Sequence, residues 1–139
     1  IWGAFIGALF LWGGAYWILD LNPNLSWVTL QWPMFFALCI ASPLLEEYVF
    51  RGLLYDAIDA RWPILWPQDT RFGISAANGV STVLFVGVHM VAREPMAGAL
   101  VLIPSLYLGL VRQHEGGIGA CIVIHCVWNL GWFSLLPPS

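Results

Sequence analysis

The chain has 139 residues, 60% of them hydrophobic and 9% charged, and its mean hydropathy is +0.78. Soluble domains carry roughly a quarter charged residues, so this surface is suited to lipid rather than water. Five Arg, no Lys and a net charge of −3 exclude a basic nucleic-acid-binding face, and the apolar content excludes a disordered chain.

The length fits one domain, 1–139, with the informative residues in a core over 43–132. Ile1–Leu19, Leu21–Leu45, Phe72–Ala92, Pro95–Val111 and Gly116–Ser139 carry no charge. Each approaches or exceeds the roughly 17–25 residues that span a bilayer. The prediction is an all-α, polytopic membrane bundle of about five transmembrane helices. Trp2, Trp17, Trp27, Trp32, Trp62, Trp66 and Trp132 fall near the expected span ends, as an aromatic belt at headgroup level would.

The first helix is expected over Trp2–Leu19. It has neither a basic leader nor a small-residue cleavage site and reads as a membrane helix rather than a signal peptide. A start at Ile1 rather than Met points to a trimmed or incomplete chain. Asp20-Leu-Asn-Pro-Asn24 reads as a turn. The second helix begins near Trp27 and runs past Tyr55, longer than one span, with Pro33 and Pro43 expected to kink or break it. An interfacial loop follows from Trp62-Pro63 to about Arg71. Helix three is placed at Gly73–Ala92, where Gly87 is expected to let another backbone approach. Arg93-Glu94-Pro95 is a polar turn, with Pro95 suited to the first turn of a helix four that ends near Arg112. Helix five covers Ile118–Leu135 and stops at Pro137-Pro138. With alternating spans, Arg61, Arg71 and Arg112 share one side and Arg93 lies on the other, and the positive-inside rule puts the larger group in the cytoplasm. Cys39, Cys121 and Cys126 lie in apolar spans, contain no CxxC and read as packing residues.

Ionisable groups inside spans cost about 2.5–3.5 kcal/mol each on insertion scales, so those present carry information. Three clusters stand out. In Pro43-Leu-Leu-Glu46-Glu47-Tyr-Val-Phe50-Arg51-Gly52, Glu47 and Arg51 are four apart and can pair, while Glu46 faces elsewhere. A carboxylate in a dry site is a better proton acceptor than one in water. The plainer reading is that both Glu residues begin a helix extension beyond the membrane. The second cluster is Phe85-Val-Gly-Val-His89, whose His could equally be a satisfied structural residue. The third is His125-Cys-Val-Trp-Asn129, two polar side chains on one helix face, which could equally make an interhelical packing bond. Taken together, the clusters offer a general base, a second acid/base and a donor pair for an oxyanion. There is no GxSxG and no HExxH, so the chemistry that fits is activation of a water.

In this order the three motifs resemble those of the CPBP family, the CAAX-processing and bacteriocin-processing intramembrane proteases, also called Abi proteins: EExxxR, often EExxFRG, then FxxxH, then HxxxN. The resemblance spans residues 46–129. It implies a glutamic-type peptidase in which Glu46 activates a water, His89 helps to hold and deprotonate it, and His125 and Asn129 steady the oxyanion. Glu47 and Arg51 would be a structural pair fixing the helix that carries Glu46, and Phe85 would pack. No cofactor is implied. The substrate would be a membrane-anchored or prenylated protein, cut near its C-terminal segment.

Two other readings stand beside this one. Glu46, His89 and His125 could form a three-ligand zinc site with an open water position, though this leaves Asn129 unexplained. The chain could also be a non-catalytic bacteriocin-immunity or binding protein that keeps the motifs as a polar core. The expected location is a multi-pass position in a prokaryotic inner membrane. Lipid and a membrane-anchored protein are the expected partners, without nucleic acid.

Overall fold

A computed structural model describes residues 13–14, 16–18, 20, 23–62, 73–92 and 95–135. Every element among them is helical. Helix one of the sequence reading falls largely outside the described residues, as do the loop after Trp62 and the Arg93-Glu94 turn. The elements are α1 (Ser26–Leu30), α2 (Trp32–Arg61), α3 (Ala76–Ala92), α4 (Pro95–Leu100), α5 (Leu102–Glu115) and α6 (Gly119–Leu135).

Among the described residues, α2 is the one helix long and apolar enough to cross a membrane, at 30 residues. The two apolar helices α3 and α6 have 17 residues each. The expected second helix is thus two. It breaks at Gln31, and Pro33 lies in the first turn of α2, where a missing N–H costs nothing.

Pro43, by contrast, lies inside α2. Its effect appears one turn earlier, where Ala37–Ala41 widens to a π-helix and the Ser42 N–H reaches back to the Ala37 carbonyl. A second π stretch covers Tyr48–Leu54. There the Arg112 Nε donates to the Arg51 carbonyl at 2.9 Å, a side chain entering the helix ladder. The α-helical turn Ser42–Glu47, which carries both glutamates, lies between the two widened stretches.

The expected fourth span is also divided. The Pro104 ring is incompatible with continuous helix through the Leu100 carbonyl, and the chain turns at Val101 between α4 and α5. At the far end of α5, Gly116 takes φ 70° and returns its N–H to the Arg112 carbonyl, closing the helix.

The chain divides into two compact units, Ile1–Leu45 with Ile122–Ser139, and Glu46–Cys121. In the first, buried Trp27 packs against Phe35 and Phe133, with ring centroids 5.9 and 6.2 Å away. The Asn24 N–H donates to the Ser134 carbonyl at 2.9 Å, and the Tyr16 hydroxyl donates to the Gly131 carbonyl at 3.1 Å. In the second, α3 packs against α4, α5 and the C-terminal part of α2, over a core of Tyr55, Ile58 and Ala77. Ser75 caps α3, its Oγ accepting from the Asn78 N–H at 3.1 Å. The close backbone approach is at Gly98 rather than Gly87. A Cβ on Gly98 would sit 2.6 Å from the Met90 Cα and 2.8 Å from the His89 carbonyl carbon, whereas no described atom comes within 4 Å of one on Gly87. The α4 backbone is therefore pressed against the turn of α3 that carries His89.

Candidate active site

The paired glutamates of α2 have different surroundings. Glu47 is 0% exposed and pairs with Arg51, which is 1% exposed, at 3.1 Å. The Arg51 Nη2 donates to the Ser105 hydroxyl at 2.7 Å and to the Ser105 carbonyl at 3.1 Å. The Glu46 side chain keeps 23% of its surface. Of the two carboxylates, Glu46 is therefore the more exposed, although its Oε2 is itself buried.

Arg51 begins a directed chain of hydrogen bonds. The Ser105 hydroxyl donates to Thr82 Oγ1 at 3.1 Å, Thr82 donates to Asn78 Oδ1 at 3.2 Å, and Asn78 Nδ2 donates to the Leu106 carbonyl at 3.2 Å. Ser105, Thr82 and Asn78 are all buried. Each hydroxyl donates away from the cation, so the bonds polarise one another in one direction. The chain ties α2 to α3 and α5. The sequence reading did not single out these three residues. The signal was there, since each is a polar residue in an apolar helix, but no spacing within one helix connects them.

Phe85 joins this network to the second motif. The Arg51 guanidinium lies 4.5 Å from the Phe85 ring centroid, within cation–π range. Phe50 meets the same ring edge-on at 5.0 Å, and the His89 ring lies 4.2 Å away, tilted by 33°. The His89 Nδ1 is 3.0 Å from the Phe85 carbonyl. A carbonyl only accepts, so in this contact Nδ1 carries the proton. In the neutral ring that leaves Nε2 as an acceptor, and Nε2 stands 3.9 Å from Glu46 Oε2. This exceeds a direct hydrogen bond and is short enough for one water to touch both groups.

His125 and Asn129 belong to the other unit, on α6. His125 is buried. The Asn129 Nδ2 donates to the Leu38 carbonyl of α2 at 2.9 Å. The structure thus brings Glu46 to His89 and Glu47 to Arg51 within one unit, and ties Asn129 to α2 within the other.

Among the described residues, no three His, Cys, Asp or Glu side chains gather as a metal-holding group. A polar cavity of about 270 Å³ lies elsewhere in the second unit, lined by residues that include Tyr55, Asp56, Asp59 and Arg112. None of the six residues chosen from sequence lines it. There Arg112 pairs with Asp56 at 2.6 Å, from the same guanidinium that holds the Arg51 carbonyl.

No curated protein and no solved structure matches the chain. A family model does: Rce1-like, described as type II CAAX prenyl endopeptidase, over residues 27–131. This match includes all three motifs and most of the chain. The chain belongs to the Rce1-like type II CAAX prenyl endopeptidase family, integral-membrane proteases that act on membrane-anchored protein substrates.

Proposed function

We propose that the protein is a multi-pass intramembrane endopeptidase of the glutamic type. It hydrolyses a peptide bond near the C-terminus of a membrane-anchored or prenylated protein, without a metal cofactor. The observation that carries this reading is the pair of acceptors, Glu46 Oε2 and His89 Nε2, held 3.9 Å apart. A water between them donates one hydrogen to each. As its oxygen attacks the scissile carbonyl, its proton passes to this pair and then to the leaving amine. His125 and Asn129, the HxxxN residues, donate to the oxyanion as it forms.

The supporting geometry is local. The Phe85 carbonyl selects the His89 tautomer that can accept a proton. The Glu47–Arg51 pair is consumed by the network to Ser105, which leaves Glu46 as the carboxylate for chemistry.

The test is terminus mapping by mass spectrometry on membranes carrying either the intact protein or Glu46→Gln at matched expression. New C-termini that depend on Glu46 identify the substrate, the bond and the side of access. Identical termini in both membranes, with both proteins folded, would refute the protease reading.

A further inference from the structure

Asn129 donates to the Leu38 carbonyl at 2.9 Å, and the cause of that contact lies further along α2. In an α turn Leu38 would accept from the N–H of Ser42, but that N–H goes to Ala37. In a π turn Leu38 would accept from residue 43, and Pro43 has no N–H. The helix therefore leaves this carbonyl to a donor from outside its own backbone, and Asn129 provides one.

The contact also orients the donor. A carbonyl oxygen only accepts, so the end of the Asn129 amide that faces Leu38 is the NH2 group. One of its two N–H bonds is directed at Leu38. The direction of the second follows, because the amide is planar.

We infer that the Leu38 carbonyl, left open by Pro43, is the anchor that orients the Asn129 amide, and that Pro43 is thereby a positioning residue for the reaction. The anchor rests on geometry alone. Its value to catalysis rests on the oxyanion role proposed for Asn129. With the first N–H held, the second is the one presented to substrate. Without the anchor, the amide turns about its side-chain bonds and that N–H is present only part of the time.

Pro43→Ala tests this while keeping every chemical group of the proposed site. It gives the helix back an N–H, so Leu38 finds a backbone donor and the claim of Asn129 on it ends. Pro43→Ala, Asn129→Ala and the double variant form a cycle, read first by thermal unfolding in lipid bicelles. Asn129→Ala is expected to lower the unfolding midpoint of the intact protein and to leave that of Pro43→Ala almost unchanged. Equal drops in both backgrounds would overturn the anchor. If Asn129→Ala does not accumulate, Asn129→Ser, too short to reach Leu38, takes its place.

The second readout is cleavage of a prenylated CAAX peptide. Pro43→Ala is expected to lower kcat about tenfold with KM unchanged, which a purely structural role would not do. Intact kcat in Pro43→Ala, with Asn129→Ala strongly impaired, would overturn the positioning role. The unfolding cycle needs no activity, so a failed anchor and a failed protease reading are told apart.

Discussion

His89 Nε2 stands 3.9 Å from Glu46 Oε2, on two helices that share one packed unit. The tautomer that makes Nε2 an acceptor comes from a bond His89 makes to its own helix, at Phe85.

Glu46→Gln keeps the shape of the side chain and removes its basicity, and His89→Ala removes the second acceptor. Each is expected to lower kcat by about 10²–10⁴-fold, the range for a lost general acid or base. Unfolding midpoints should stay near that of the intact protein. Cleavage of a prenylated CAAX peptide by either variant at the intact rate would show that the pair does not activate water.

Arg51→Lys is expected to fail where a conservative exchange at the surface would succeed. Lys offers one ammonium, whereas Arg51 reaches Glu47 with one nitrogen and Ser105 with the other while stacking on Phe85. Arg51→Ala removes the cation that pairs with the buried Glu47 carboxylate, a cost of about 3–5 kcal/mol. The check is the unfolding midpoint, or the yield of folded protein, in detergent micelles.

Gly109→Ala addresses the far end of the same network. A Cβ there would collide with the side-chain amide of Asn78, which bridges Thr82 and Leu106. Expelling that amide breaks two hydrogen bonds, the one from Thr82 fully buried, at about 1–3 kcal/mol for each buried group left unsatisfied. An unfolding midpoint equal to that of the intact protein would show that the network tolerates the loss.

Gly98→Ala is expected to slow the reaction without removing any reactive group. Its methyl would press on the backbone at Met90 and His89. A displacement near 1 Å at a catalytic group is worth up to about 10²-fold in rate. Gly87→Ala, on the same helix as His89 but open on that side, is the control and should leave kcat unchanged.

A metal chelator separates the water-activating pair from the zinc alternative. Dialysis against phenanthroline is expected to leave the rate unchanged. Loss of activity that added zinc restores would favour a metal-held water and overturn the metal-free proposal.

What could be read from sequence was what is local along the chain. Apolar runs placed α3 and α6 to within a few residues. The four-residue spacing of Glu47 and Arg51 needed no knowledge of the fold, because positions i and i+4 meet on any helix. Pro104 was a legible break, but the fourth expected span ran across it. The length of an apolar run says nothing about a turn such as the one at Val101 that divides it.

The sequence by itself determined that the chain is helical and apolar, and which few polar residues lie within its apolar stretches. Tertiary structure alone decided which of them meet. Ser105 reaches Arg51 across 54 residues and Asn129 reaches Leu38 across 91. Such pairings depend on how far each helix is rotated about its axis. Two π stretches in α2 reset that rotation on either side of Glu46 and Glu47. A period of 3.6 residues predicts which side chains share a face, but not which neighbouring helix that face meets once the ladder has been widened.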